Sequence, residues 1–519
     1  MTSPRTQTTI VPHTQQPLLT RTYPSESELD AIIKTAADVQ KRWANVPVSR
    51  RVEIGYKFIV SEIRAVCRGQ DTNSPVFLAE QEEFKKMVPE LPLELTMQMG
   101  RPISQTPGEL RGMIGRAEYM LSIAESSLLP VSLADTDQPG FKRYIERVPL
   151  GVVHVITPWN YPYLVTINSV LPALVAGNAV LLKPSPQTPL VAERLQRAFE
   201  AAGVPKGVFQ AVHLGPEGVE HVVKHKSVDF VCFTGSVVGG KTVEKMAVNA
   251  QGFKGVALEL GGKDPAYVRA DADFDYTVAE LVDGTYPSFS SPPASADTQG
   301  SSVLGAFFNS GQSCCAIERI YVHESIFDKF VAAYVELVKK YKLGDPTDPS
   351  TTLGPVVSVA SAEKIRKQVA DAVAAGAKPL VPEQLFPAAI SGTAFVAPQV
   401  LINVNHSMEI MMEETFGPVI GIQSVSSDKE ALSLMNDSPY GLTASVWTDA
   451  ANSEVSMAAF LTFADGLETG TVFLNRCDYL DPALAWTGVK NSGRGVSLSK
   501  FGYDQLTRAK SVHMKFKTS

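Results

Sequence analysis

Cysteine is scarce in this chain, with five in 519 residues, at positions 67, 232, 314, 315 and 477. So few, scattered and without a CxxC spacing, they exclude a disulfide framework and point to a reducing compartment, with the cytoplasm as the expected location. No His/Cys/Asp cluster with ligand spacing appears, so no metal is expected. Long apolar runs are also missing. The most apolar stretch, Leu164 to Leu182, is broken by Asn168, Pro172, Gly177 and Asn178, which reads as a buried helix, turn and strand rather than a membrane span. Basic runs are absent and the net charge is -7, which argues against nucleic acid as a partner. The N-terminal stretch carries Arg5 and Arg21 but no apolar h-region. It does not read as a secretory signal, and its lack of acids before Glu26 leaves a mitochondrial leader as the second reading.

What is present is ordinary globular composition, 44% hydrophobic and 19% charged, in a chain long enough for two or three domains. Ser27 to Trp43 has apolar residues at spacings near three and four and predicts an amphipathic helix. From Gly151 the pattern turns to short apolar runs, GVVHVITP, NAVLLKPS, FQAVHL and FVCFTGS, separated by helical sequence such as Val191 to Ala202. This alternation predicts βαβ units around a parallel sheet, with ligands beyond the carboxyl ends of its strands. A second series, with a helix at Ile326 to Tyr341 and strands in Ala394 to Val404 and Val419 to Val425, predicts a second α/β domain. Residues 130–148 and the tail after Leu506 read as extended arms, and strands of this kind need pairing, which points to an oligomer.

Three short runs could carry chemistry. FFNSGQSC ends on Cys314 after a turn of small residues that leaves a thiolate room and backbone donors; a buried inert thiol is the alternative. LELGGKDP places Glu259 at a strand end before two glycines, where a carboxylate could serve as general base or simply as a structural end group. TPWNYP sets Asn160 in a turn where its amide could donate to an oxyanion or close an ordinary Asx turn.

Together with FTGSVVGG and EETFGP, these runs stand in the order and approximate spacing of the aldehyde dehydrogenase superfamily, and the chain resembles that family from about Val11 onward. The resemblance implies a Rossmann-like cofactor domain (residues 1–129 and 149–258), an α/β catalytic domain (259–465) and an oligomerisation arm with substrate-loop segments (130–148 and 466–519), assembled as a homodimer or homotetramer. It implies oxidation of a small-molecule aldehyde to a carboxylic acid through a thioester on Cys314. Asn160 and the backbone N–H of Cys314 would hold the oxyanion, and Glu259 would activate the hydrolytic water. The nicotinamide cofactor would lie along Thr157, Trp159, Lys183, Ser185, Gly235, Ser236, Gly240, Glu414 and Phe416. NAD is the expected form. NADP is admissible because Pro186 stands where many NAD-preferring relatives have a glutamate.

Tyr161, Leu164, Val165, Phe308 and Trp486 fall on the expected substrate tunnel, with Asn168 as a polar point, so the resemblance implies a mainly apolar wall suited to an uncharged aldehyde. Arg319 and Arg476 keep a carboxylate-bearing substrate in play. An acylating or semialdehyde branch, or a catalytically inactive structural relative, are the rival readings. Segments 60–81 and 285–305 interrupt the pattern and read as retained-intron sequence or as tolerated surface loops.

Overall fold

The computed structural model describes residues 6–60, 90–133, 139–283 and 305–516. The chain opens with a hairpin of β1 (Thr6–Ile10) and β2 (Pro17–Thr22), then α1 (Glu26–Trp43) and α2 (Val48–Val60). Ser25 starts α1 with a capping box, its hydroxyl accepting from the Glu28 N–H while the Glu28 carboxylate accepts from the Ser25 N–H. The apolar stripe Leu29, Ile33, Ala36 and Trp43 is buried, as its periodicity predicts. After α3 (Leu91–Met99), the long α4 (Thr106–Leu128) leads to β3 (Val131–Ser132) and β4 (Phe141–Pro149).

The parallel series follows: β5 (Val152–Ile156), α5 (Pro162–Ala176), β6 (Ala179–Lys183), α6 (Leu190–Ala201), β7 (Phe209–Ala211), α7 (Pro216–Lys224), β8 (Phe230–Thr234), α8 (Val237–Val248) and β9 (Gly255–Glu259). Leu164 to Leu182 is thus the predicted helix, turn and strand. The sheet order is β9-β8-β5-β6-β7. The order reverses between β5 and β8, and their carboxyl ends open a crevice there. The loops entering it are the TPWNYP and FTGS turns.

The second sheet is built from β10 (Asp264–Val268), α9 (Phe274–Val282), β11 (Ile317–His323), α10 (Phe327–Val338), α11 (Val359–Ala374), β12 (Lys378–Pro379), β13 (Gln399–Ile402), α12 (Glu409–Met412), β14 (Val419–Val425), α13 (Asp428–Asn436), β15 (Tyr440–Gly441), β16 (Thr443–Trp447), α14 (Glu454–Gly466) and β17 (Thr471–Leu474). Its order is β12-β13-β14-β11-β10-β16-β17, parallel except for β12; β15 lies outside it. The strands β10, β11 and β16 are almost wholly buried, consistent with helices on both faces.

Residues 466–519, expected as arm and substrate-loop segments, contain several short elements. Past β17, β18 (Val489–Lys490) pairs with β15, and β19 (Gly493–Arg494) adds antiparallel to β9 on the first sheet. After α15 (Ser499–Gln505), β20 (Thr507–Lys515) pairs with β4 from Thr507↔Pro149 to Lys515↔Phe141. The two predicted arms therefore satisfy each other's hydrogen bonds within one chain, which hydrophobic patterning could not reveal. Residues 61–81 and 285–304 of the two interrupting segments lie outside the described residues.

Candidate active site

Between the two sheets lies a cavity of about 380 Å³ whose lining includes Cys314, Cys315, Glu259, Thr234, Tyr161, Leu164, Val165, Asn168, Phe308 and Trp486. Cys314 sits on the loop before β11 and is partly exposed, whereas Cys315 is buried. That loop is strained. Asn309, Ser310 and Gly311 all have positive φ, and a Cβ at Gly311 would lie 2.2 Å from the Gly417 carbonyl oxygen. Left-handed residues other than glycine cost on the order of 1–3 kcal/mol each and persist only where the surroundings over-determine them. Here they do: the Asn309 amide donates to the carbonyls of Gln312 (3.2 Å) and Asn160 (3.3 Å), Ser310 Oγ donates to Gly354 O (2.8 Å), and the Gln312 side chain bridges Asn309 O and Val357 N–H.

Two buried ion pairs brace this loop and its neighbours. Arg101 and Glu109, exposed by 1% and 0% at their side chains, pair directly. Arg101 also donates to Asn309 Oδ1 at 3.1 Å and to the Asn160 carbonyl, while Glu109 accepts from Tyr163 N–H at 2.7 Å. Lys263 pairs with Glu318 at 2.6 Å, and Glu318 accepts the N–H groups of Thr415 and Phe416, both at 2.9 Å. That clamp explains how Phe416 holds a φ of 55°. Glu109 and Glu318 draw their donors from remote loops, so neither pair shows in the sequence as a local motif.

Glu259 ends β9 half-buried in the cavity wall, accepting from Ser497 Oγ (2.6 Å) and Thr234 Oγ1 (3.2 Å). Desolvation pushes its carboxyl above the ordinary range, opposed by those two hydroxyls and by Arg116. The two glycines that follow have separate jobs. A Cβ at Gly261 would sit 2.5 Å from Glu414 Oε1, and one at Gly262 would sit 2.3 Å from the Cys314 carbonyl oxygen. They let the chain leaving Glu259 pass directly beneath the nucleophile loop.

Cys315 differs from its neighbour. Its Sγ–H donates to Asp478 Oδ1 at 2.8 Å, and a hydrogen bond with Cys314 together with burial raises its thiol well above the usual value. Asp478, which also accepts from Ser313, is itself pushed up to about 6 by burial. Only Cys314 combines access to the cavity with freedom from a carboxylate acceptor among the described residues.

Asn160 is buried, and its amide donates to Gln312 O at 3.2 Å; it is not among the lining side chains. One amide proton is left without an acceptor among the described residues. The expected cofactor residues cluster along the crevice. Thr157 N–H donates to Lys183 O at 3.1 Å, and Trp159 meets the Phe416 ring edge-on at 5.6 Å. Ser185 Oγ accepts from Gln187 N–H at 3.2 Å. Gly235 N–H is taken by Glu259 O, and Ser236 caps α8 by accepting from Gly239 N–H, which leaves first-turn amides at Val237 and Val238 for an anion. Gly240 is the exception: its N–H bonds to Ser236 O, and a Cβ would meet Leu260 at 2.5 Å. It packs α8 against Leu260, just past the end of β9. Glu414 accepts from Gly262 N–H at 3.1 Å, and burial raises it to about 7.

A dinucleotide fits this crevice on one internal observation. The Lys183 ammonium has no partner among the described residues, and burial lowers it to about 8. A buried cation is costly without an anion or polar ligand beside it, and Lys183 ends the strand next to the switch point. The Pro186 loop is clasped by the β1–β2 hairpin, its carbonyl accepting from Gln7 and Thr9.

The substrate wall is mainly apolar, as the resemblance implies. Beside the apolar residues it carries Arg101, Arg111 and Arg116. Arg319 and Arg476, the arginines nearest the motifs in sequence, serve elsewhere. Arg319 is saturated by the carbonyls of Lys263, Leu434, Asp437 and Met435 and by Tyr321, and Arg476 stacks on Tyr479 at 3.3 Å. Among the described residues no group of His, Cys, Asp and Glu could hold a metal ion, and no helix is long and apolar enough to cross a membrane.

This geometry is shared with known proteins. The model of the aldehyde dehydrogenase family matches residues 76–288 and 296–512. The chain belongs to the aldehyde dehydrogenase family. It is similar to aminoaldehyde dehydrogenase 2 of Pisum sativum, a peroxisomal protein, at 36% identity over 82% of this chain and 79% of that protein. It is also similar to the NADP(+) succinate-semialdehyde dehydrogenase of Mycobacterium avium, at 32% over 97% and 96%. Among solved structures, the NAD-dependent aldehyde dehydrogenase of Sinorhizobium meliloti superposes with a TM-score of 0.85 at 28% identity, covering 99% of this chain and 92% of that one. The chain is an oxidoreductase of this family, carrying out NAD(P)-dependent aldehyde oxidation.

Proposed function

We propose that the chain oxidises an aldehyde to a carboxylic acid by covalent catalysis on Cys314. The observation that carries this reading is the convergence of a partly exposed thiol at Cys314 and the half-buried carboxyl of Glu259 on one cavity, over a loop fixed by paired charges. The Cys314 thiolate attacks the carbonyl carbon, and the developing oxyanion accepts from the Cys314 N–H and the second amide proton of Asn160. A nicotinamide held in the crevice would supply the hydride acceptor needed for the Cys314 adduct to become a thioester. Glu259 then takes a proton from water as the water attacks the thioester. The carboxylic acid leaves, Cys314 is restored as the thiolate, and Glu259 gives its proton up to solvent.

Lys183, the first turn of α8 and Glu414 would hold the dinucleotide. NAD is the preferred form in this reading, although Lys183 also suits a 2′-phosphate because no carboxylate stands at Pro186 to repel it. The acylating alternative lacks support, since Glu259 is present and aimed into the cavity. The cytoplasm and a homo-oligomer are the proposed setting.

The test is reduced-nicotinamide absorbance with an aldehyde panel, NAD or NADP, and a Cys314→Ala control. Aldehyde-dependent reduction that disappears in the control is the expected result. Silence with every aldehyde and both nucleotides, in a protein that still binds nucleotide, would favour the inactive structural relative.

A further inference from the structure

One wall of the cavity comes from a single helix, α4, and its composition is unusual. Gly108, Arg111, Gly112, Gly115 and Arg116 all line the cavity, and their spacings of three and four residues put them on one helical face. Gly112 is needed for packing, since a Cβ there would lie 2.8 Å from Leu164. Gly115 has nothing within 4 Å of its would-be Cβ, and Gly108 meets only the tip of Arg111, at 3.8 Å. Those two positions are therefore open space, and helix propensity disfavours glycine at them by about 1 kcal/mol each. The bare stretch leaves room beside two guanidinium groups.

Arg116 is the deeper of the two. Its Nη1 donates to Leu164 O at 3.1 Å and to Asn168 Oδ1 at 3.3 Å, which fixes the plane of the head group. Its Nε and Nη2 have no protein partner, and no carboxylate lies within ion-pair distance of it among the described residues. By contrast Arg101, which also lines the cavity, is committed to Glu109, Asn309 and Asn160. The acids facing the cavity are Glu109, Glu259, Asp478 and Asp481. Glu109 is paired with Arg101, and Arg116 acts on Glu259 and Asp478 only electrostatically, lowering both against the burial that raises them, without an ion-pair contact. An anchored guanidinium with two free donors in a cavity suits a planar oxyanion.

We infer that the preferred substrates are aldehydes carrying a carboxylate at their far end, which Arg116 binds through Nε and Nη2 while Cys314 attacks the carbonyl. This rests on the reading above and adds the substrate class. Arg116 is a specificity-determining residue in this account, and Arg111 at the cavity edge adds to the attraction. The same charge disfavours aldehydes bearing an ammonium group, although one similar protein is named for aminoaldehydes.

The experiment compares kcat/KM for ω-oxo carboxylic acids of three to five carbons with unsubstituted aldehydes and ω-amino aldehydes of matched length. It uses the full chain and the variants Arg116→Gln and Arg116→Lys. The expected order is acid, then neutral, then amine. Arg116→Gln should lower the acid-to-neutral ratio roughly 10- to 100-fold, the worth of a charge-assisted hydrogen bond to a carboxylate, mainly through KM. Arg116→Lys should restore part of that ratio. A ratio near one in the unmodified protein, or a ratio that Arg116→Gln leaves in place while both rates fall together, overturns the inference and leaves aldehyde oxidation standing. Failure to oxidise any of the three classes sinks the underlying reading instead.

Discussion

The framework around the nucleophile loop and the cleft that faces it handle charge in opposite ways. In the framework, Arg101 is matched to Glu109 and Lys263 to Glu318, each pair almost fully buried and each also gripping backbone groups of neighbouring loops. In the cleft, among the described residues, Lys183 has no partner and Arg116 hydrogen-bonds only to neutral groups. Buried cations are expensive unless polar groups satisfy them: backbone carbonyls saturate Arg319 in the framework, whereas Lys183 has no partner among the described residues and Arg116 has donors left over. The difference separates charge that positions catalytic groups from charge that awaits a ligand. Cys315 and Cys314 repeat the contrast at the scale of adjacent residues, one tied to Asp478 and the other open.

The sharpest way to test this division is to remove cleft groups without touching the framework. Cys314→Ala should abolish aldehyde oxidation, by more than roughly 10⁴-fold, with the melting temperature unchanged in calorimetry. Glu259→Gln should slow steady-state turnover roughly 10²- to 10⁴-fold while a stoichiometric burst of reduced nucleotide survives. In the unmodified protein that general base must be ionised to work. Its carboxyl is raised by burial, so turnover should climb with pH through a midpoint above the ordinary glutamate value of about 4.3, and Glu259→Gln should flatten that limb.

Breaking the framework should behave differently. Arg101→Met strands Glu109 and frees Asn309, and should cost about 3–5 kcal/mol in denaturant unfolding, with lost activity accompanying lost stability. The smallest effect belongs to Lys183→Met. Nucleotide KM should rise roughly tenfold with no loss of stability, because a bare buried ammonium contributes none. A large drop in stability there would show that Lys183 is framework after all.

Much of this architecture is legible in residue order. The alternation from Gly151 places β5, β6 and β8, and the motif residues Cys314 and Glu259 do meet in one cavity. What escapes a reading of the sequence is whatever depends on distant partners. Arg101 and Glu109 lie about 200 residues before the loop they brace, and no local pattern links them to Asn309. Arg116 stands in an ordinary helix, and its only local signal is the glycine-arginine face at spacings of three and four. Arg319 and Arg476 stand near the motifs in sequence yet are engaged elsewhere in the fold, because nearness in sequence is not nearness in space. The arms, too, are visible as strands, but their register with each other is fixed only when β20 returns to β4. Gly240 reads as part of a phosphate turn because glycine serves both loop approach and helix packing, and its closeness to Leu260 shows only in the fold.

The most direct test is intact-protein and peptide mass spectrometry of Glu259→Gln, mixed with aldehyde and oxidised nucleotide and quenched in acid. The account predicts an acyl adduct, equal to the aldehyde less one hydrogen and replacing the thiol proton, on the peptide containing Cys314 and localised to Cys314. An adduct on Cys315, or nucleotide reduction with no acyl-protein formed, would contradict it.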